Sequence, residues 1–348
     1  MTRPTFVVHG SPRAALVDPS STVCVDGVVA GFRSLSHWPG NSTPAALRHD
    51  LSTGIALRWA ALPPARRDRL VGPFSTVLNN HYDTDGALSA FALIRPDEAL
   101  PRSDALLAAA ATGDFATWQG EAALAIDLSI MGLLHGAGSP LADSFVDEMP
   151  DAERWERGYL WLLEHLPELL DEPFTLAARW REAFDRVVAD VERVEAGDGV
   201  EVETHDALDL AIVTARRPLT AIGLHHAAGA HHRVLIVQPR GPRYRLVLRD
   251  ESWFDVETIR VAPRIPLAPI AAALEALEGE RADGARWWAT GIGIPVAELG
   301  FGDGPDEDGF HAARDLTREP ASGLAPATVV EVLVQAFGAA PRGAARGR

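Results

Sequence analysis

The predicted fold is built around one stretch, Phe74–Leu93, which reads FSTVLNNHYDTDGALSAFAL. Its first part, Ser75–Leu78, is a short run of β-forming residues, and an apolar helical pattern begins after Gly86. Between them lies a polar segment in which three ionisable residues occupy alternate positions. We therefore predict a strand, a loop and the start of a helix.

The three alternate residues of this loop are His81, Asp83 and Asp85. Residues two apart on an extended backbone point the same way, so these side chains can converge on one cation. Two carboxylates and one imidazole suit Mn²⁺, Mg²⁺, Zn²⁺ or Fe²⁺ better than a soft metal, and Gly86 permits a tight turn into the helix. The alternative is an ordinary polar turn in which Asp85 caps the helix and His81 is exposed.

Two earlier segments, Thr5–His9 and Thr22–Val29, also have the pattern of strands, the second interrupted by Asp26 and Gly27. In an open α/β sheet, ligands bind beyond the carboxyl ends of the strands, and Asp26 lies there if Thr22–Val25 is a central strand. The alternative is a hairpin turn at this Asp-Gly dipeptide.

A helix is predicted to begin at Ser52 or Thr53, after a loop rich in Pro, Gly and Asn. Small hydroxyl groups, Gly54 and the start of a helix together form a candidate anion site. Ser52 and Thr53 are therefore candidate substrate-binding residues.

The composition narrows the class of substrate. The 348-residue chain has 32 basic and 48 acidic residues and a formal net charge of −16. This charge disfavours non-specific binding of duplex nucleic acid, and a small substrate, phosphorylated or not, is easier to accommodate. The sequence contains no Lys, which excludes a P-loop and a Schiff-base lysine. The single cysteine, Cys24, cannot form an internal disulfide and is predicted to lie in the core.

No signal-peptide pattern and no apolar stretch long enough to cross a bilayer occur in the sequence. We therefore expect a cytoplasmic protein without a membrane partner. A homodimer is compatible with the sequence.

The chain is predicted to contain two domains joined by helices. Residues 1–150 form an α/β domain with a mostly parallel sheet flanked by helices, 151–198 a charged helical linker, and 199–325 a smaller C-terminal α/β domain, followed by a disordered tail at 340–348. The predicted fold class is therefore α/β throughout. The aromatic run at 251–255 is expected to pack in a core, with a pocket wall as the alternative.

The C-terminal part carries one unusual cluster, four His within residues 225–232. They can bind metal, contact a phosphate as imidazolium or belong to a polar loop, and from the residues alone an exposed loop is the expectation. Arg243 can supply bidentate phosphate contacts, although such Arg residues more often form salt bridges at the rim of a site.

The run His81–Gly86, HYDTDG, followed by Ser89 and Ala90, resembles the first metal-binding motif of the DHH phosphoesterase superfamily, which includes RecJ-like exonucleases and oligoribonucleases. In that family the motif follows a strand of a parallel sheet, and its residues hold a pair of Mn²⁺ ions. The resemblance implies Mn²⁺, with Mg²⁺ or Zn²⁺ as alternatives.

Other pieces of the sequence are similar to later motifs of the same family. Val25-Asp26 looks like the strand that ends in Asp, the segment from Ser36 to Asn41 looks like the Asp-His-His motif, and Leu51–Gly54 looks like the Ser-Thr pair that opens a helix. These similarities imply that Asp26 and His37 are metal ligands or catalytic residues. Ser36 and Trp38 flank His37 in place of Asp and His, and the HYDTDG motif comes last here but first in the family.

In the C-terminal domain, His226–Gly229, HAAG, is similar to the substrate-binding loop of DHH enzymes. The resemblance implies that His225 or His226, with Arg243, contacts the substrate phosphate. The leading hypothesis is thus a metal-dependent phosphoesterase. Two alternatives remain: a mononuclear metal hydrolase of amide or ester bonds, and a non-catalytic DHH-like scaffold that binds a nucleotide or a protein.

Overall fold

The computed structural model describes residues 3–135, 139–145, 148–279, 281, 284–304 and 316–339. The chain divides into two compact units: the first contains residues 1–185 and 254–259, and the second contains 186–253 and 260–348. Within the described ranges, no helix combines the length and apolarity that a membrane crossing requires. The predicted disordered tail, 340–348, lies outside the described residues.

The first unit contains a parallel four-stranded sheet with the strand order β1-β4-β2-β3. Its strands are β1 (Thr5–Val8), β2 (Thr22–Val25), β3 (Arg33–Leu35) and β4 (Thr76–Asn79). Its helices are α1 (Ser52–Ala60), α2 (Pro64–Leu70), α3 (Thr84–Ile94), α4 (Pro96–Ala99), α5 (Ser103–Phe115), α6 (Glu121–Gly132) and α7 (Asp151–Asp171). The predicted mostly parallel sheet with flanking helices is confirmed.

Apolar residues of the central strands are buried on both faces of this sheet. Leu78 of β4 lies opposite Val7 on one side and Cys24 on the other, and all three are at most 3% exposed. Burial on both faces is typical of a parallel sheet covered by helices. α3 is buried along its whole length, as expected of a helix that is apolar on nearly every side. Cys24 is in the core, as predicted.

The structure decides between the two interpretations of Asp26 and corrects the predicted linker. β2 and β3 pair in parallel, so Asp26 and Gly27 do not form a hairpin turn. The helix α7 is not a linker: it packs on β1, where the ring of Tyr159 stacks on Phe6 with centroids 4.3 Å apart. The apolar face of α7 is therefore part of the first unit's core.

The division between the units falls inside α8 (Ala177–Ala196). The remaining elements belong to the second unit, a mixed six-stranded sheet in the order β5-β6-β7-β8-β10-β9 with three helices among the described residues. They are β5 (Val200–His205), β6 (Leu210–Ala215), α9 (Ala221–Ala228), β7 (Arg233–Gln238), β8 (Arg243–Leu248), α10 (Ala268–Glu278), β9 (Arg286–Ala289), β10 (Ala297–Gly302) and α11 (Pro326–Ala339).

Alternating side chains give this sheet two apolar faces. Ile212 belongs to the core formed with α10 and α11, whereas its neighbour Val213 belongs to the core formed with α9. α11 contributes Leu333 and Phe337 to the first of these cores, so the second unit extends beyond the predicted limit at residue 325.

The His cluster of the second unit begins in a helix and not in a loop. Thr220 caps α9 by accepting a hydrogen bond from the amide of Gly223, and His225 and His226 occupy the helix's last turn. The Ala residues that follow them favour this helix.

Candidate metal centre

The strands β2, β3 and β4 run in parallel, so the residues that follow them meet at one edge of the sheet. Asp26 follows β2, His37 lies two residues beyond β3, and the loop from Asn80 to Asp83 connects β4 to α3. Residues that are far apart in the sequence are thereby brought together.

The side chains at this edge form two groups that can hold a metal ion. The inner group consists of Asp26, His37, Asp85 and Asp114, all buried, and the outer group consists of Asp26, His81 and Asp83. Within each group the candidate ligand atoms lie within 4.8 Å of one another. Every metal ligand predicted from the sequence is thus a member, and Asp26 belongs to both groups.

Asp26 faces both groups because its two carboxylate oxygens point in different directions. Oδ1 lies 3.4 Å from Nε2 of His37, and Oδ2 lies 3.2 Å from Nε2 of His81. The hydroxyl of Ser52 donates a hydrogen bond to Oδ1 over 2.8 Å. The backbone of Asp26 is left-handed, with φ of +43°, a conformation that Asp tolerates better than most residues. This arrangement allows one carboxylate to be shared between two cations.

The imidazole of His37 is oriented by the backbone. Its Nδ1–H donates to the carbonyl of Asp50 over 2.6 Å, which leaves Nε2 facing Oδ2 of Asp114 at 3.2 Å. Nε2 is buried and makes no hydrogen bond of acceptable geometry with the described residues, and the same is true of Oδ2 of Asp26. Two buried polar atoms that line a common cluster without a hydrogen bond fit a metal ligand set.

His81 is oriented in a similar way by a side chain. Its Nδ1 lies 3.1 Å from Oδ1 of Asn80, and its Nε2 lies 2.7 Å from Oδ2 of Asp83. The side chains of His81 and Asp83 are 22% and 28% exposed, whereas that of His37 is fully buried. Solvent therefore reaches the outer group.

The two helices α1 and α3 hold the carboxylates. Asp83 caps α3, its Oδ1 accepting from the amide of Gly86, while its Oδ2 faces His81. The carboxylate of Asp85 accepts from the first amides of α1, those of Ser52 and Thr53, over 2.7 and 2.8 Å. The start of a helix favours a negative charge, and here an internal carboxylate occupies it.

This contact corrects the assignment of Ser52 and Thr53 to substrate binding. Both residues have no exposed surface, and their amides are committed to Asp85. They support the candidate ligands, because the anion that their amides bind is the carboxylate of Asp85.

Burial favours the protonated form of two carboxyl groups of the inner group. Burial raises the pKa of Asp85 to about 7, with the charge of Asp26 adding to the effect, and burial likewise raises the pKa of Asp114 well above its usual range. Burial alone would lower the pKa of His37, but contacts with Asp114 and Asp26 outweigh it and raise the pKa well above its usual range. Metal ligands must be deprotonated, so a cation would displace these protons.

Charge balance gives a further test of the fit. The two groups together contain four carboxylates and two imidazoles. Fully ionised carboxylates with neutral imidazoles carry a charge of about −4, which two divalent cations neutralise. Burying such a charge without cations is unfavourable, and the raised pKa values express that cost. The residues therefore fit two divalent cations with oxygen and nitrogen ligands.

Sequence reasoning missed one member of the inner group, Asp114. The segment Thr112–Asp114 has the composition of a helix break, but it lies within α5. Gly113 permits the close approach, since a Cβ there would lie 2.7 Å from Cβ of Thr84. The sequence feature that could have indicated Asp114 is a glycine followed by a single acidic residue in an Ala-rich helix.

Asp127 of α6 is half-buried and supports the start of α3. The hydroxyl of Thr84 donates to Oδ1 of Asp127 over 2.5 Å. Burial raises the pKa of Asp127 to about 6. It is not a member of either group.

The predicted substrate residues of the second unit have other partners. Arg243 donates to the backbone carbonyls of Arg240, Gly241 and Glu319, so its guanidinium stabilises a turn. Nε2 of His226 lies 3.4 Å from a carboxylate oxygen of Glu195. His225 is 9% exposed on the same helix.

Residues 7–348 match the family of unknown function DUF6687. Because this match covers nearly the whole sequence, the chain belongs to that family. Neither the curated proteins nor the solved structures include a significant match.

Proposed function

We propose that this member of the DUF6687 family is a metal-dependent phosphoesterase that uses two divalent cations, most readily Mn²⁺, to hydrolyse a small phosphorylated or nucleotide substrate. One observation carries the proposal: Asp26 belongs to two adjacent ligand groups and directs one carboxylate oxygen to each. A shared carboxylate is a common way to hold two cations close enough to act on one phosphoryl group.

The chemistry assigned to the cations is Lewis-acid polarisation of a phosphoryl oxygen and provision of hydroxide near neutral pH. The two groups of residues have different roles in this proposal. The buried residues of the inner group, His37, Asp85 and Asp114, exclude solvent and keep their ligand atoms in place. His81 and Asp83 are partly exposed, so a phosphate reaches the centre from the side of the outer group.

The geometry favours a pair of cations over the single cation of an amide or ester hydrolase. A single cation in the outer group would leave the buried carboxyl groups of Asp85 and Asp114 without a cation. The same point explains the substrate class. Two divalent cations would offset the charge of the four carboxylates, so the loaded centre would not oppose phosphate binding.

The proposal is tested first by elemental analysis of the purified full-length protein. We expect two equivalents of Mn²⁺ or a similar ion after loading, and loss of both in the double variant Asp83→Ala plus Asp85→Ala. Asp68→Ala is a suitable control, because Asp68 is exposed on α2 and belongs to neither ligand group. Absence of bound metal after incubation with Mn²⁺ would refute the proposal.

Activity is measured on bis(p-nitrophenyl) phosphate, p-nitrophenyl phosphate and a panel of small nucleotides, with p-nitrophenyl acetate as the ester control. We expect Mn²⁺-dependent release of phosphate or nitrophenol from a phosphoester. Metal binding together with nucleotide binding but without turnover would instead favour the non-catalytic scaffold. Hydrolysis of the acetate ester alone would favour the ester hydrolase.

A further inference from the structure

Six residues from far along the chain, Phe254–Ile259, belong to the first unit, although the residues on both sides of them belong to the second. They contain no helix or strand. We call this segment the strap. Three of its contacts lead to His37, the candidate imidazole ligand of the inner group.

The first contact of the strap is with the imidazole ring. Phe254 is 6% exposed, and its ring lies 3.9 Å from that of His37, centroid to centroid, with only 13° between the planes. Phe115, the neighbour of Asp114, lies 6.0 Å from Phe254. A stacked ring prevents the imidazole from rotating away from the direction set by its hydrogen bond.

The second contact holds the backbone of His37. The amide of Asp255 donates to the carbonyl of His37 over 2.7 Å. The carboxylate of Asp255 in turn accepts from Nδ2 of Asn41 over 3.1 Å. The main chain beyond β3 is thus tied to the strap on both sides of the Trp-Pro-Gly turn.

The third contact runs through Asp50, whose carbonyl accepts the hydrogen bond from Nδ1–H of His37. The carboxylate of Asp50 accepts from the amides of Glu257 and Thr258 and from the hydroxyl of Thr258. The strap therefore fixes the residue that determines which nitrogen of His37 faces the metal. Partners of this kind raise metal affinity by orienting the ligand.

We propose that the strap is a positioning element for the inner group. Phe254, the amide of Asp255 and the donors to Asp50 fix the orientation of the His37 imidazole before a cation binds. Binding of the inner cation therefore depends on a segment that is remote from His37 in the sequence. The inference rests on the two-cation centre proposed above. The hydrogen bonds of the strap lead to His37 and to the residues that hold it, whereas the strap reaches the outer group through an intermediate ring. Phe254 lies 6.3 Å from Trp38, whose ring lies 5.0 Å from that of His81. We therefore expect the outer cation to depend on the strap less.

The test uses the full-length, metal-free protein and compares Phe254→Leu with Phe254→Tyr, which keeps the stacked ring. Phe91→Leu is the matched control, because Phe91 is fully buried in α3, its ring lies 5.8 Å from the guanidinium carbon of Arg95, and it belongs to neither ligand group. Mn²⁺ binding is followed by calorimetry, and the magnetic coupling between two bound Mn²⁺ ions by electron paramagnetic resonance.

For Phe254→Leu we expect one Mn²⁺ to bind as in the wild type and the second to bind about 10- to 100-fold more weakly, with loss of the coupled signal at low Mn²⁺ and its return at high Mn²⁺. Phe254→Tyr should restore the second site and the control should resemble the wild type. Equal weakening by Phe254→Leu and Phe91→Leu would indicate general destabilisation and overturn the proposal.

The outcomes separate this inference from the proposed function. If the wild type and Phe254→Leu both bind two Mn²⁺ with the same affinity, the two-cation centre stands and the positioning role is overturned. If the wild type binds no Mn²⁺, both are overturned.

Discussion

Replacement of Asp26 by asparagine is the most direct test of the shared carboxylate. The substitution keeps the size of the side chain, removes one negative charge and leaves a single oxygen. The hydroxyl of Ser52 donates to Oδ1 of Asp26, so the amide oxygen of the Asp26→Asn variant should keep this position, next to the inner group. The amide NH₂ then replaces Oδ2, the oxygen that lies 3.2 Å from Nε2 of His81.

This orientation predicts unequal losses at the two groups. The outer group loses a ligand atom and a charge, whereas the inner group loses only the charge. Removal of a partner that merely orients a ligand already costs about 10- to 100-fold in affinity, so loss of a ligand should cost at least about 100-fold, or about 2.8 kcal/mol. We expect roughly this loss at the outer group and about 10-fold weaker binding at the inner group.

The assay is titration of metal-free full-length protein with Mn²⁺ by calorimetry, with circular dichroism as the check on folding. Asp83→Asn and Asp114→Asn serve as references, because each changes one group only. Each reference variant should lower the affinity for one equivalent of Mn²⁺, whereas Asp26→Asn should lower the affinity for both. If Asp26→Asn bound two equivalents as tightly as the wild type, or lost affinity at one site alone, the carboxylate would not be shared.

Three further predictions concern a glycine, pH and the second unit. Gly27→Ala should weaken the outer site about 10-fold in a Mn²⁺ titration, because its Cβ would lie 2.2 Å from Oδ1 of Asn80, which orients an imidazole ligand; unchanged affinity would contradict this. Burial raises the pKa of Asp85 to about 7, above its unfolded value of about 4, so the folded metal-free protein binds more protons and loses stability as pH rises through that range. The increase in melting temperature caused by Mn²⁺, which needs the deprotonated carboxylate, should therefore be larger at about pH 8 than at about pH 6, and the reverse order would refute the linkage. Arg245→Met should lower the free energy of unfolding by about 3–5 kcal/mol in urea denaturation without changing metal content, because it removes a buried guanidinium that lies 3.3 Å from the carboxylate of Glu298 and 2.8 Å from that of Glu319.

Local patterns were enough to predict much of the fold. The short β-branched runs at β1, β2 and β4 and the polar loop before α3 are contiguous in the chain, and their periodicity indicates the elements directly. The same contiguity made His81, Asp83 and Asp85 visible as candidate ligands. β3 and β9 were missed because they have only three and four residues, and β10 because two of its six residues are Gly, which is depleted in strands.

Periodicity describes neighbours within one element, whereas ligands from separate elements meet only when the strands are ordered and paired. The sequence pattern therefore assigned Asp114 to a helix break, whereas its carboxylate faces His37. It also suggested that the first amides of α1 bind a substrate anion, whereas they donate hydrogen bonds to Asp85 of α3. The strap shows this most clearly, because no pattern in the sequence around Phe254 predicts its contact with His37. The residue types at the candidate centre could be read from the chain, but their arrangement around Asp26 and their support by distant segments arise from tertiary contacts, because distance in space is independent of distance along the chain.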